Sequence, residues 1–197
     1  SCVVLTRCQR HGRGQRSRFW QSPPGGVWLS AAMPLFGETK SPGIFGIAVA
    51  LALSKRLERF GLSPVIKWPN DLLIGERKLA GLLPRIVHRG PIARFARIGL
   101  GLNVLNHVPD GGIALKELLL PGRCRENQWT VEVLIALEQA MTYLREPAWV
   151  CRQVEERLWV REFLDADTGK LLKVEGISLD GGLKVIDGTK QYIWKRW

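Results

Sequence analysis

PVIKWPNDLLIGERKLAGLLPRIV, Pro64 to Val87, reads as a strand, a break and a hairpin. Val65–Lys67 is a short strand. Trp68-Pro69-Asn70 interrupts it, because a residue before proline is pushed to extended geometry and Pro69 has no N–H for a ladder. Leu72–Ile74 and Lys78–Val87 then pair across the Gly75-Glu76 turn. A further strand at Ala93–Leu100 runs into GLGLN. Upstream, Cys2–Thr6 reads as a short buried strand and Val27–Leu35 as another. Ser41-Pro42-Gly43 opens a helix to about Phe60, with Ile44, Ile47, Ala48, Leu51 and Leu57 near one face and Gly61 as its stop. Downstream, Asn106–Asn127 is loop-rich. Thr130 caps an amphipathic helix whose stripe of Leu134, Leu137, Met141 and Leu144 belongs to the core. Another helix lies around Val150–Trp159. Lys170–Trp197 reads as short strands with turns at Asp180-Gly181-Gly182 and Asp187-Gly188, a small β appendage. Strands alternating with few helices predict a mixed-sheet α/β or α+β layer fold, of which α+β, a mixed β-sheet with helices packed on it, is the one expected.

The 197 residues suffice for one good core with a small appendage. Hydrophobic residues make up 46% and charged residues 24%, which excludes a disordered chain. The longest apolar run, Gly43–Leu53, is too short for a membrane span and reads as a buried helix. Cys2, Cys8, Cys124 and Cys151 have no CxxC spacing and the three histidines are scattered, so no zinc site is expected. Four cysteines do not form a disulfide framework in a chain this long; they read as reduced thiols in a cytoplasmic protein.

The net charge of +11 points to a polyanionic partner or substrate, and its distribution narrows the choice. No acid occurs before Glu38, while Arg7, Arg10, Arg13, Arg16 and Arg18 crowd one stretch. GRGQRSRFWQSPPGG, Gly12–Gly26, holds four glycines, three arginines and no acid. Such a loop lets backbone N–H groups approach an anion, and the arginines add forked, charged donors. A second acid-free stretch runs from Arg77 to Pro109. Clustering in glycine-containing segments favours a local anion site over a diffuse basic coat.

Three stretches carry candidate chemistry. Lys67, at a strand end beside the proline break, would aim a compact point charge into a cleft for carboxylate or phosphate. Asn70 and Asp71 suit a nucleotide amide contact or a Mg²⁺ ligand. Gly99 and Gly101 would let a ligand press on backbone, and Asn103 offers the donor and acceptor that an adenine edge requires. Each alone is as well explained by a long turn, a surface lysine or a bulged strand. Together they suit activation of a carboxylate by a nucleotide.

In the same order, QRHGRGQRSRFWQSPPGGVWLS, KWPNDLLIGERKLAGLL and IGLGLNV resemble the catalytic domain of biotin protein ligases. Weaker similarity extends over nearly the whole chain. The resemblance implies the class II synthetase-like biotin/lipoate ligase fold, with residues 1–160 catalytic and 161–197 a shortened SH3-like β domain. It implies that biotin and ATP form biotinyl-5′-AMP, Mg²⁺ assisting, and that biotin then passes to a lysine of a biotin carboxyl carrier protein, that of acetyl-CoA carboxylase or a related carboxylase. By motif position Lys67 matches the catalytic lysine, and Arg16 and Arg18 face phosphates. Gln9, Gly12, Arg13, Gly14, Gln15, Lys67, Gly99 and Gly101 line the biotin side. Trp20, Asn70, Asp71, Lys78 and Asn103 serve the nucleotide side. No protein-bound metal, nucleic acid or membrane is expected, and the protein would be a monomer or homodimer.

The chain departs from the family pattern at Gln15, where Arg is usual, and at Ser17, where Gly is usual. The family's Ser-Thr-Asn segment before its first helix has no counterpart, and the chain begins at Ser1. Without an N-terminal helix-turn-helix it resembles the non-repressor class. A lipoate or octanoate ligase or transferase is the nearest alternative. A basic nucleic-acid binder is the other, though only Phe19 and Trp20 interleave with the arginines as stacking platforms.

Overall fold

A computed structural model describes residues 1–35, 41–90, 92–165 and 168–196. The α+β architecture expected from the sequence is present. Six strands form one sheet: β1 Cys2–Thr6, β2 Val27–Pro34, β3 Pro64–Lys67, β4 Asp71–Ile74, β5 Arg77–Arg89 and β6 Ile92–Leu102. Their order is β1-β2-β6-β5-β4-β3. Each ladder is antiparallel, and parallel pairing is confined to the isolated bridges Ile66–Leu158 and Lys78–Gly112. The β4–β5 hairpin turns at Gly75, whose φ of +58° suits glycine. The Trp68–Pro69 peptide is cis.

Three helices pack on the core: α1 Pro42–Glu58, α2 Glu126–Tyr143 and α3 Pro147–Glu155. Ser41 is the N-cap of α1, its Oγ accepting from Gly43 N, and Pro42 follows at the first turn as the sequence indicates. The expected single apolar face is too narrow a description. Every residue from Gly43 to Leu57 except Lys55 is buried, because α1 is wedged between the sheet and both other helices. Each fully buried Leu, Ile or Phe there contributes about 1.5–3 kcal/mol relative to exposure. Arg56 enters this layer paired with Glu132 Oε2 at 2.5 Å, tying α1 to α2.

Three other expectations are corrected. β1 is exposed at all five positions, being a sheet-edge strand with one neighbour rather than a buried one. Thr130 does not cap α2; the N-cap position is Arg125, and Thr130 Oγ1 donates to Glu126 O inside the first turns. The helix starts early because Trp129 anchors it, fully buried, with its Nε1 donating to Arg123 O and its ring 4.7 Å from that of Phe60. The α2 face in the core is Trp129, Val133, Ala136, Leu137 and Ala140. Of the expected stripe Leu137 is buried, and Met141 and Leu144 are partly buried against the core; Leu134 is partly exposed, and all four border an open groove of about 1110 Å³ beside Met33 and Leu179.

The C-terminal strands β7 Glu162–Leu164, β8 Leu171–Ile177, β9 Leu183–Asp187 and β10 Lys190–Trp194 form a separate antiparallel sheet in the order β10-β9-β8-β7. Trp197, the last residue of the expected β appendage, lies outside the described residues. The β8–β9 turn reaches the first sheet. Asp180 O accepts from Ser41 Oγ (2.6 Å) and Ile44 N (3.0 Å), and Gly181 O accepts from Trp68 Nε1 (2.9 Å). Gly181 has φ +90°, and a Cβ there would lie 2.3 Å from Gly43 backbone.

Among the described residues no helix is long and apolar enough to cross a membrane. All four cysteines are free; Cys2 and Cys8 are exposed, Cys124 and Cys151 buried. Burial pushes the Cys124 thiol up and the Cys151 thiol up to about 11, so neither carries much thiolate near neutral pH. Iodoacetamide at about pH 8 is expected to label Cys2 and Cys8 in the native protein and all four thiols after denaturation. Mass spectrometry reads the sites, and native labelling of Cys151 would contradict this packing.

Candidate active site

The open face of the large sheet carries a cleft of about 560 Å³ under the Arg/Gly loop. Its floor is made where β5 and β6 present cross-strand glycines: Gly81 opposite Gly101, with Leu83 opposite Gly99 one step along. The absence of side chains lets Trp20 lie on the strands. A Cβ at Gly101 would stand 2.7 Å from Trp20 Nε1, and one at Gly81 3.0 Å from its six-membered ring. Trp28 supports the same ring edge-on, with centroids 6.3 Å apart.

Lys78, near the start of β5, places its ammonium in this cleft. Nζ is 2.7 Å from Asp71 Oδ2 and 4.9 Å from the Trp20 ring centroid. Its backbone is held on the far side by the Pro109–Gly112 turn, Lys78 N donating to Gly111 O and Ile113 N to Lys78 O. Two buried polar atoms here, Trp20 Nε1 and Asp71 Oδ1, have no partner among the described residues. A buried donor and acceptor left unmade each carry a penalty of about 1–3 kcal/mol, so a ligand that meets them gains accordingly.

The loop over the cleft is shaped by its backbone. Trp20 N donates to Gly12 O and Gly14 N to Arg18 O. Arg16 and Ser17 sit in the left-handed region, φ +54° and +58°. Ser17 is the position where glycine was expected, and the structure requires the conformation that glycine adopts without strain. Arg13, Gly14, Gln15 and Arg18 line the cleft, as does Gln9, whose Oε1 accepts from Ser22 Oγ at 2.6 Å. The guanidiniums of Arg13 and Arg18 have no acid partner among the described residues. Gln15 Nε2 donates to Arg196 O at the other end of the chain.

Most of the expected site residues therefore converge: Gln9, Arg13, Gly14, Gln15, Arg18, Trp20, Asn70, Asp71, Lys78, Gly99, Gly101 and Asn103 share one cleft. Three do not line it. Gly12 is buried behind the loop, where a Cβ would meet Trp20 O at 2.4 Å. Arg16 is exposed and does not border the cleft. Lys67 is the third. It ends β3, the far edge strand, and its Nζ lies 4.4 Å over the Trp159 ring, outside the cleft. The lysine that lines the cleft is Lys78. Asn103 lines the cleft and is engaged by the protein: its Nδ2 donates to Lys78 O and its Oδ1 accepts from Asn106 Nδ2. Asn70 is similarly engaged, Nδ2 donating to Leu82 O. Gly81 and the Gly111-Gly112 turn were missed; glycine beside the KLA run was the available signal.

The family model for biotin/lipoate A/B protein ligases matches residues 1–103, more than half of the chain. The chain belongs to this family. Among curated relatives, it is 34% identical over 118 residues to the bifunctional ligase/repressor BirA of Bacillus subtilis, covering 59% of this chain and 36% of that protein. It is 34% identical over 116 residues to a biotin–[acetyl-CoA-carboxylase] ligase of Paracoccus denitrificans, covering 57% of this chain and 48% of that one. The chain thus spans about a third to a half of the length of these relatives. The fold is that of a biotin protein ligase from Aquifex aeolicus solved in complex with biotin and ATP, with TM-score 0.78, 20% identity, and coverage of 97% of this chain and 84% of that chain. A Leishmania major biotin protein ligase in complex with biotinyl-5-AMP aligns at TM-score 0.67 and 17% identity over 98% and 87%.

Asn103→Ala should lower stability by about 1–3 kcal/mol, because it strips Asn106 and the Lys78 carbonyl of a buried partner. Thermal unfolding measures the loss. Ligand binding in the cleft is expected to weaken for every ligand alike; selective loss of a nucleotide would restore Asn103 as a base-reading residue.

Proposed function

We propose that this chain is the catalytic part of a biotin protein ligase, joining biotin to ATP as biotinyl-5′-AMP and passing biotin to a lysine of a biotin carboxyl carrier domain. The observation that carries this is Lys78: one ammonium held by Asp71 and Trp20 in a glycine-floored cleft, under an acid-free Arg/Gly loop. Family membership and the ligands named for the similar solved proteins support it.

In the first step a biotin carboxylate oxygen attacks the α-phosphorus of ATP. The new O–P bond forms as the bond to the β-phosphate oxygen breaks, and pyrophosphate leaves. Negative charge from two anions is concentrated at one point. Lys78 stands where a preorganised cation stabilises that charge, with Arg13 and Arg18 in the loop above. Asp71 orients Lys78 through Oδ2. For Mg²⁺, Asp71 Oδ1 is a buried carboxylate oxygen without a partner among the described residues, and a Mg²⁺ that takes most ligands from phosphates and water needs no more from the protein. There it would neutralise triphosphate charge. The Gly12–Trp20 loop covers the mixed anhydride and excludes water. In the second step the carrier lysine amine attacks the acyl carbon and AMP leaves.

Residues 1–160 are taken as the catalytic unit and 161–197 as an accessory SH3-like domain. Four unpaired thiols fit a reducing compartment, the cytoplasm.

Biotin-dependent pyrophosphate release from ATP, read against lipoate as competing acid, tests the reading; release with lipoate alone would favour the lipoate branch of the family. Lys78→Ala is expected to lower adenylate formation by about a hundredfold or more, the scale of losing a preorganised charge at the reacting centre. Lys67→Ala should stay within a few-fold of the parent. The reverse order of effects would return the role to Lys67.

A further inference from the structure

The four contiguous strands β1, β2, β6 and β5 contain no Asp or Glu. On the face that holds the cleft, they present two successive rows of side chains. Val4, Ser30, Gly99 and Leu83 are cross-strand neighbours in the first, and Ser30, Gly99 and Leu83 line the cleft. Ala32, Arg97 and Arg85 are neighbours in the second. The second row stands one same-face step, about 7 Å, beyond the first.

Arg85 and Arg97 are therefore directly opposed across β5 and β6, and both are exposed. Neither guanidinium has an acid or hydrogen-bond partner among the described residues. Like charges directly opposite are unfavourable in a sheet, so this pair weakens the ladder that forms the cleft floor. No contact among the described residues offsets it. The surface between the pair and the cleft is low: Ser30, Ala32 and Gly99 raise no long side chain above the strands.

We propose that Arg85 and Arg97 form the docking point for an acidic face of the acceptor protein, beside its target lysine. This rests on the transfer reaction proposed above. The arginine fork matches carboxylates in bidentate geometry, and such a pair at a rim steers association of an oppositely charged partner. Position favours a protein over a nucleic acid. A partner seated on the arginines lies at the cleft mouth, where an acceptor amine must reach the acyl group, whereas a polynucleotide there would obstruct it. The platform also lacks aromatic side chains of the kind on which unpaired bases stack; Phe95, the next residue on that face of β6, is half-buried.

The test compares the parent with the double variant Arg85→Glu/Arg97→Glu and with Arg85→Lys/Arg97→Lys, using an acidic apo biotin carboxyl carrier domain. Adenylate formation should be unchanged in both variants, which also shows that they fold. For transfer, the Glu pair should raise KM for the carrier about tenfold or more with kcat within about twofold, and abolish the salt dependence of KM. The Lys pair should retain most of the parent affinity. Carrier KM unchanged in the Glu pair overturns the proposal. So does loss of binding to a labelled random DNA duplex in the Glu pair with carrier kinetics intact, which would make the pair a phosphate-backbone contact. If the Glu pair does not fold, Arg85→Ala and Arg97→Ala singly carry the same comparison. If the parent forms no adenylate, the ligase reading fails by itself. Direct carrier binding by fluorescence anisotropy then judges the docking surface, and equal affinity of parent and Glu pair overturns it.

Discussion

Trp20 reaches the sheet only because Gly81 and Gly101 face each other across β5 and β6. That pairing is unfavourable for a sheet taken alone, since glycine weakens a strand and packs nothing. Here the deficit on the open face is met from behind. Leu82, Leu100 and Leu102 point to the other face and are buried against the α1 layer. With the indole seated, Lys78 has a wall to lie against, Asp71 can hold it, and the Arg/Gly loop has a fixed point from which to fold over the cleft. Any side chain at either glycine displaces the indole and so disturbs all three.

The loop itself is under constraint. Two consecutive residues with side chains, Arg16 and Ser17, hold positive φ, a conformation that costs roughly 1–2 kcal/mol per non-glycine residue. It persists because the surroundings over-determine it, with Gly14 and Arg18 bonded to each other and Trp20 bonded to Gly12. Substitution of the usual glycine by Ser17 thus leaves the backbone path intact and stores strain in it. Gln15 departs from the family pattern in another way, sending its amide to the Arg196 carbonyl instead of presenting a charge.

Local chemistry made much of this legible. The proline break, the Gly75-Glu76 turn, the Ser41-Pro42 helix start and the Gly61 stop are each set by one or two residues, and each appears where the sequence indicates. The cationic loop was readable from charge and glycine alone. What was not readable is tertiary. Lys67 and Lys78 flank the same hairpin, and only the distant Trp159, reached through the α3 end, draws the first away. Asn103 looked free because Asn106, which takes its oxygen, lies in a stretch with no periodicity. The core face of α2 is rotated from the expected stripe because Trp129 pairs with Phe60 from α1's end. β1 reads as apolar, but an edge position overrides its composition.

The turn at Asp180-Gly181 changes what the boundary near residue 160 means. Through it the C-terminal sheet supplies the acceptors for Ser41, the Ile44 amide and the Trp68 indole, all in elements that carry the large sheet's core and its proline break. Removing that sheet would leave the Ser41 hydroxyl and the Ile44 amide, at the start of the helix on which the glycine-floored strands rest, without their shared acceptor. The two sheets have separate ladders, yet the turn joins them through these three hydrogen bonds. Loss of the C-terminal sheet would therefore weaken the support of the cleft-bearing sheet as well as its own.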